Sequence, residues 1–287
     1  MNTDHPQKGI LFICAAVFLF ASSDALSKYL TDFYPVVMVL WVRYVVHISL
    51  MLAVIRPPSF HTLLATKNPK LQIIRGLCMA NTNLMFISAL HYIPLAEGTA
   101  IIYLSPLIIT AMSGPLLGER IARLQWVAVA IGFIGVLFIV RPGGSMFHPV
   151  ALLALGAAFS FSLYQIITRK LNHTDKSSTT NFISGLVCAI VTSLLLPFFW
   201  KTPTLHFAIL MVLLGVSALV SHLWMTKAYQ HAKPSTLAPF SYTQLLFAGL
   251  IGYIFFDHTP DFMGLVGMLI IVAGGLLVFS KISYKKT

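Results

Sequence analysis

Ten apolar runs divide this chain almost from end to end, and that pattern restricts its fold more than any other feature. They cover about residues 9–30, 36–55, 71–92, 95–117, 124–140, 149–168, 180–200, 206–228, 235–256 and 262–280. At 1.5 Å of rise per residue, a helix of about 20 residues crosses the roughly 30 Å of bilayer hydrocarbon. Outer-membrane strands would instead alternate over about ten residues, so the runs predict helices. Charged residues make up 9% of the 287 positions and apolar ones 57%, where a soluble domain carries about 25% charge. So few charges could not cover a water-exposed surface, and a disordered chain would need low hydrophobicity. The expected class is an all-α integral membrane protein whose short connections leave no room for a soluble domain. The first run ends in Asp24, Lys28 and Asp32 without a small-x-small cleavage pattern, so it reads as a retained helix rather than a signal peptide.

The net charge of +11 would suggest nucleic acid in a soluble protein. Here its distribution reads as topology. With the N-terminus placed in the cytoplasm, Lys8, Arg56, Lys67, Lys70, Arg75, Arg120, Arg123, Arg169, Lys170, Lys176, Lys227, Lys233, Lys281, Lys285 and Lys286 fall inside or at the inner edge. Lys28, Arg141 and Lys201 fall at the outer edge, and Arg43 is left within a helix. Cytoplasmic loops carry the basic excess in membrane proteins, so both termini are expected in the cytoplasm. The location expected is the cell membrane, a bacterial inner membrane, with weak attraction to anionic lipid and no nucleic-acid partner. The three cysteines, Cys14, Cys78 and Cys188, are scattered within apolar runs. That spacing suits packing residues rather than a disulfide framework or zinc.

An internal repeat organises the ten runs. Ala89–Val140 aligns with Ala228–Phe279 at an offset of 139, pairing Tyr103 with Tyr242 and Gly135 with Gly274. Phe18, Phe20, Lys28 and Leu30 meet Phe159, Phe161, Arg169 and Leu171 at an offset of 141. Residues 1–143 and 144–287 thus form two units of five helices. Five is odd, so the second unit must lie inverted in the bilayer. Inverted repeats enclosing a site near the midplane are a signature of secondary transporters, although helical channels also contain them.

Short motifs carry a family resemblance: Pro94-Leu-Ala-Glu-Gly-Thr-Ala, Ser105-Pro106, Leu117-Gly-Glu119, Ile131-Gly-Phe-Ile-Gly135, Arg141-Pro-Gly143, Ala228-Tyr229, Pro239-Phe-Ser-Tyr242 and Gly274-Gly275. Together they resemble the EamA branch of the drug/metabolite transporter superfamily. Asp24, Lys28 and Arg43 are similar to the S-adenosylmethionine-transporter-like members. The resemblance implies ten helices in two repeats and transport of a small metabolite. One departure is Asp257-His258, where the family often repeats the Gly-Glu that follows segment four.

Ionisable groups within hydrocarbon cost on the order of 3 kcal/mol on insertion scales and mark functional candidates. Arg43 lies roughly 10 Å below the outer boundary by helix rise, and its fork suits a carboxylate or phosphate. Its alternative is a fixed ion pair with Asp24. Asp24 and Lys28 share one helix face at i,i+4, so Asp24, Lys28 and Arg43 are expected to form an outer gate or a zwitterion site. His47, one turn from Arg43, is a proton-relay candidate or a packing residue. Glu97 is a proton carrier or an acid suited to a helix N-terminus. Asn81, Asn83, His222 and Trp224 would bring polar groups near the midplane, as substrate contacts or interhelical glue. Tyr103, Tyr164 and Tyr242 offer aromatic surface for a planar or cationic ligand. Pro106 and Pro239 would break the helical ladder and act as hinges.

No Walker A loop, HExxH, GxSxG or dinucleotide fingerprint is present, so neither catalysis, cofactor nor metal is expected. The function expected is a secondary transporter that moves a zwitterion or organic anion, of amino-acid or nucleoside-like type, by alternating access. An S-adenosylmethionine-type carrier is the alternative within transport, and a membrane enzyme or channel the alternative class. Protons are candidate coupling ions, and a monomer or weak homodimer is expected.

Overall fold

The computed structural model describes residues 6–55, 63–117, 123–141, 149–171, 174–232, 237 and 240–284. Among these the regular elements are helices: α1 (Pro6–Thr31), α2 (Val36–Ile55), α3 (Pro69–Tyr92), α4 (Leu95–Ile102), α5 (Ser105–Leu117), α6 (Arg123–Val140), α7 (Ala151–Leu171), α8 (Ser177–Phe199), α9 (Leu205–His231), α10 (Thr243–Phe256) and α11 (Phe262–Tyr284). Eight spans are long and apolar enough to cross a membrane, one of them made of α4 and α5 together, and two shorter apolar helices join them.

The segment expected over 95–117 as one helix breaks at Tyr103-Leu104, and Pro106 sits in the first turn of α5. The physical reason is the proline itself. Its ring clashes with the carbonyl four residues back, here Ile102, whereas the first turn of a helix tolerates it. The freed Ile102 carbonyl accepts the Ser105 hydroxyl (2.5 Å). The expected hinge is therefore a break ahead of Pro106, not a kink within a helix. In the second repeat, Tyr242 marks a turn before α10, which shortens the expected 235–256 helix, and Pro239 lies outside the described residues. At the other end of α10, Asp257 adopts a left-handed conformation (φ 51°) that lets the His258 N–H reach the Gly252 carbonyl (3.1 Å). Asp visits that region more readily than most residues.

Packing follows the repeat. α1 lies on α9 as α3 lies on α7, α2 on α9 as α3 on α8, and α1 on α10 as α7 on α4 and α5. α2 with α8, α4 with α10 and α6 with α11 pair with their own counterparts. Exchanging the two sets of helices leaves these pairings unchanged, the relation expected of a two-repeat fold, whereas the α1–α3, α2–α3 and α5–α6 contacts have no counterpart of like size. The α6–α11 contact runs through small residues: a Cβ on Gly135 would lie 2.8 Å from the Gly267 carbonyl, and one on Gly267 2.6 Å from the Gly135 carbonyl. Large side chains such as Leu11, Leu194, Leu246 and Leu269 point outward. In water they would form aggregation-prone patches, but lipid tails cover them at no cost.

Candidate functional site

Two cavities lie at opposite ends of the bundle. The larger, about 270 Å³, runs from Arg43, Tyr44 and His47 on α2 past Tyr164, Ser184 and Cys188 to Ser178, Asn181 and Thr226. It lies toward the end where the α2–α3 and α7–α8 connections meet. There Asp175 accepts the Thr66 hydroxyl, the Gln72 amide (2.7 Å) and the Lys67 N–H (3.2 Å). Slight burial raises the Asp175 carboxyl, but hydrogen bonds from Thr66, Gln72, Lys67 and Thr174 outweigh it and hold the group below its ordinary value.

Arg43 is 7% exposed. It makes no hydrogen bond to a described residue, and its Nη1 is buried without a partner. The Tyr44 hydroxyl on the same wall is also buried and has the Cys188 thiol beside it. Buried polar groups are nearly always satisfied, so the Arg43 guanidinium stands out on this wall. His222 lines the cavity, edge-on to Phe20 at 5.1 Å and 6.1 Å from the His47 ring.

The expected trio of Asp24, Lys28 and Arg43 does not assemble. Lys28 donates to the Leu90 carbonyl and to the Ile93 carbonyl (3.0 Å), capping the end of α3. Asp24 accepts from the Gln244 amide (3.4 Å) on α10. Neither Asp24–Lys28 nor Asp24–Arg43 forms an ion pair within 4.0 Å among the described residues. Depth does not fix rotation: Asp24 bonds to Gln244 on α10, whereas Arg43 lines a cavity with residues of α8 and α9, and the two charges act on each other only at a distance.

The remaining candidates disperse. Asn81 donates to Ser160 (2.7 Å) and Asn83 to the Met79 carbonyl (2.9 Å), and neither lines the cavity. Trp224 is also absent from its walls, although His222 and Thr226 flank it in sequence. The Tyr103 and Tyr242 rings pack at 5.1 Å, with the Tyr103 hydroxyl donating to the Ser241 carbonyl (2.7 Å). Glu97 lines the second cavity, about 250 Å³, with Arg141, His258 and Asp261.

That second cavity is bordered by a clasp. Arg141 grips both Asp261 oxygens (2.5 and 2.6 Å), and Glu97 meets His258 at 3.1 Å. The Arg141 bonds, joined by the Gly264 N–H (2.9 Å), hold the Asp261 carboxyl below its usual range. Each contact ties one half of the sequence to the other.

One buried charge was missed. Arg75, read from sequence as a loop-side topology residue, lies six residues into α3 and is 1% exposed. Its position inside an apolar run was the available signal. Among the described residues, no group of three or more His, Cys, Asp or Glu side chains could hold a metal.

Comparison with known proteins places this geometry in a transport context. The profile of the EamA-like transporter family matches residues 7–141 and 148–280. An S-adenosylmethionine uptake transporter of Rickettsia bellii is 28% identical over 75% of this chain and 74% of its own. A riboflavin transporter of Vibrio cholerae is 29% identical over 93% and 91%. A pseudopaline exporter of Pseudomonas aeruginosa is 25% identical over 95% and 96%. A crystal structure superimposes with a TM-score of 0.65 over 98% of this chain and 99% of its own at 21% identity, a likeness of fold alone.

Proposed function

The chain belongs to the EamA-like transporter family and is a multi-pass membrane transporter, and from that premise we propose that it carries a small organic anion or zwitterion by alternating access, with the Arg43 cavity as its substrate site. The single observation that carries this reading is the Arg43 guanidinium, buried and without a described partner, on the wall of a 270 Å³ cavity. Arg stays charged at any relevant pH, and a buried guanidinium without hydrogen-bond partners is costly, so an anionic group entering the cavity would supply the direct partners that Asp24, acting from farther off, does not.

With the N-terminus in the cytoplasm, the Arg43 cavity faces inward and the Arg141–Asp261 clasp closes the outside. The two halves, 1–143 and 144–287, then lie inverted in the bilayer of the bacterial inner membrane. Rocking of one half against the other would break the clasp, deepen the outer cavity and seal the inner one. A volume of 270 Å³ lies just under the roughly 300–1,000 Å³ of pockets for drug-sized ligands, which favours a compact metabolite. Arg43 together with Arg75 disfavours a ligand of net positive charge, so an S-adenosylmethionine-like substrate is the weaker reading despite the similarity to such carriers. Protons remain the proposed coupling ion.

Reconstituted protein should show saturable counterflow of labelled organic acids, tested with and without a pH gradient. Arg43→Ala should abolish it at normal membrane abundance. Non-saturable flux, or unchanged kinetics in Arg43→Ala, would refute the assignment.

A further inference from the structure

Behind the cavity wall lies the second guanidinium, and its hydrogen bonds all go to neutral acceptors. Arg75 Nε donates to the Thr168 hydroxyl (2.6 Å), Nη1 to the Thr180 backbone carbonyl (2.7 Å) and the Ser184 hydroxyl (2.5 Å), and Nη2 to the Tyr164 hydroxyl (2.6 Å) and, at 3.4 Å, the Asn181 side-chain Oδ1. The guanidinium also lies over the Tyr164 ring, 4.2 Å from its centroid. No carboxylate pairs with it among the described residues. Replacing a buried arginine's expected carboxylate with hydroxyls leaves net positive charge in the wall.

The arrangement also fixes the direction of the hydroxyls. A guanidinium only donates, so each hydroxyl that accepts from Arg75 keeps its own O–H to give elsewhere. Thr168 spends its proton on the Tyr164 carbonyl (2.6 Å). The Tyr164 and Ser184 hydroxyls find no acceptor among the described residues, and both side chains line the cavity that Arg43 also lines. Arg75 thereby holds two O–H donors ready for a ligand on the same side as an unpartnered guanidinium.

We propose that Arg43, Tyr164 and Ser184 form an oxyanion subsite that takes the carboxylate or phosphate group of the substrate, with Arg75 as the positioning residue that sets both hydroxyls as donors. This rests on the reading of the cavity as the substrate site and narrows the substrate to a compound bearing anionic oxygens. An amide of the same shape would bring its own N–H donors against the three donors of this subsite and bind more weakly.

The test is equilibrium binding to the purified full-length chain, independent of transport. Benzoate, benzamide and phenyl phosphate serve as probes, followed by thermal shift and tryptophan fluorescence. Wild type should prefer benzoate or phenyl phosphate over benzamide by about tenfold or more, the range of a hydrogen bond to a charged group. Whichever of the two anions binds more tightly identifies the oxyanion. Tyr164→Phe and Ser184→Ala, which keep ring and volume, should each remove most of that preference while benzamide affinity stays put. Arg75→Lys keeps the charge but not the fork, and should also lose the preference. A merely structural role would weaken all three probes alike. Equal binding of benzoate and benzamide by wild type, or equal losses for all probes in the variants, would overturn the subsite, even where counterflow proceeds and the transport reading survives.

Discussion

Loosening the Arg141–Asp261 end of the bundle should favour the conformation open on that side. The perturbation is the double substitution Glu97→Gln, which keeps side-chain length, and Arg141→Gln, which removes the guanidinium and shortens the side chain. The Arg141 and Asp261 side chains are 28% and 48% exposed, those of Glu97 and His258 14% and 39%. Ion pairs this exposed are worth about 0.2–1 kcal/mol each, with the more buried Glu97 contact toward the upper end. Losing both should shift the balance of the two conformations by about 0.4–2 kcal/mol, a factor of roughly 2–30. Ile101 lines the clasp-side cavity and is 1% exposed, and Ser178 lines the Arg43 cavity. Cysteines at 101 and 178, in a background lacking Cys14, Cys78 and Cys188, would be labelled with maleimide in oriented vesicles. Labelling at 101 should rise by that factor. Labelling at 178 should fall only once the two conformations become comparable. Salt near 1 M, where the Debye length is about 3 Å, should reproduce part of the rise in the unsubstituted clasp. A properly folded double variant with unchanged labelling at 101 would show that these contacts do not hold the closure.

Three further outcomes are expected. Gly135→Val and Gly267→Val each drive a side chain into the opposing backbone carbonyl of the α6–α11 contact and should cost about 1–3 kcal/mol; an unaltered melting temperature in detergent would contradict the close approach. Gly275→Ala places a methyl group on the Tyr242 hydroxyl, so the ring must leave Tyr103, and transport should slow while abundance holds; normal uptake would show that the tyrosine pair is passive. Asp175 has a depressed carboxyl value in the folded state, so its stabilisation is present above the unfolded value of about 3.9 and disappears as pH falls through the lower folded value. Asp175→Asn should therefore melt below wild type at pH 7, with the gap closing in stronger acid; a gap that persists there would point to packing rather than charge.

The spans were legible because a bilayer leaves few alternatives: a run of about 20 apolar residues must satisfy its own backbone, and a helix does so. The two-repeat division was legible in the aligned halves, and the family profile matches each half in turn. Rotation about each helix axis was not legible. Asp24 and Arg43 share a depth yet face different helices, and Asn81 and Asn83 turn to local partners that periodicity does not reveal. Arg75 was hidden for another reason. A basic residue near a connection reads as a topology signal, and only the acceptors on α7 and α8, brought in by the fold, distinguish it from a side chain reaching for headgroups. Arg43 could be picked out from one sequence because nothing about lipid explains an arginine there.

The repeat makes one last prediction about why the cavity is asymmetric. Arg43 is the eighth residue of α2 and Ser184 the eighth of α8, so the two positions are equivalents, and both line one cavity. Moving the guanidinium across, by Arg43→Ser with Ser184→Arg, would keep the composition of the wall. It should nevertheless fail to restore binding. Ser184 already accepts from Arg75 at 2.5 Å, so an arginine there would bring two guanidiniums within several ångströms. At about 4 Å and an effective dielectric of about 20, like charges repel by roughly 4 kcal/mol, a large fraction of the 5–15 kcal/mol that keeps a typical protein folded. The swapped variant should express poorly or melt far below wild type, and adding Arg75→Gln should recover its stability by removing the second charge. A swapped variant as stable as wild type with Arg75 intact would mean that the Arg75 charge does not reach position 184.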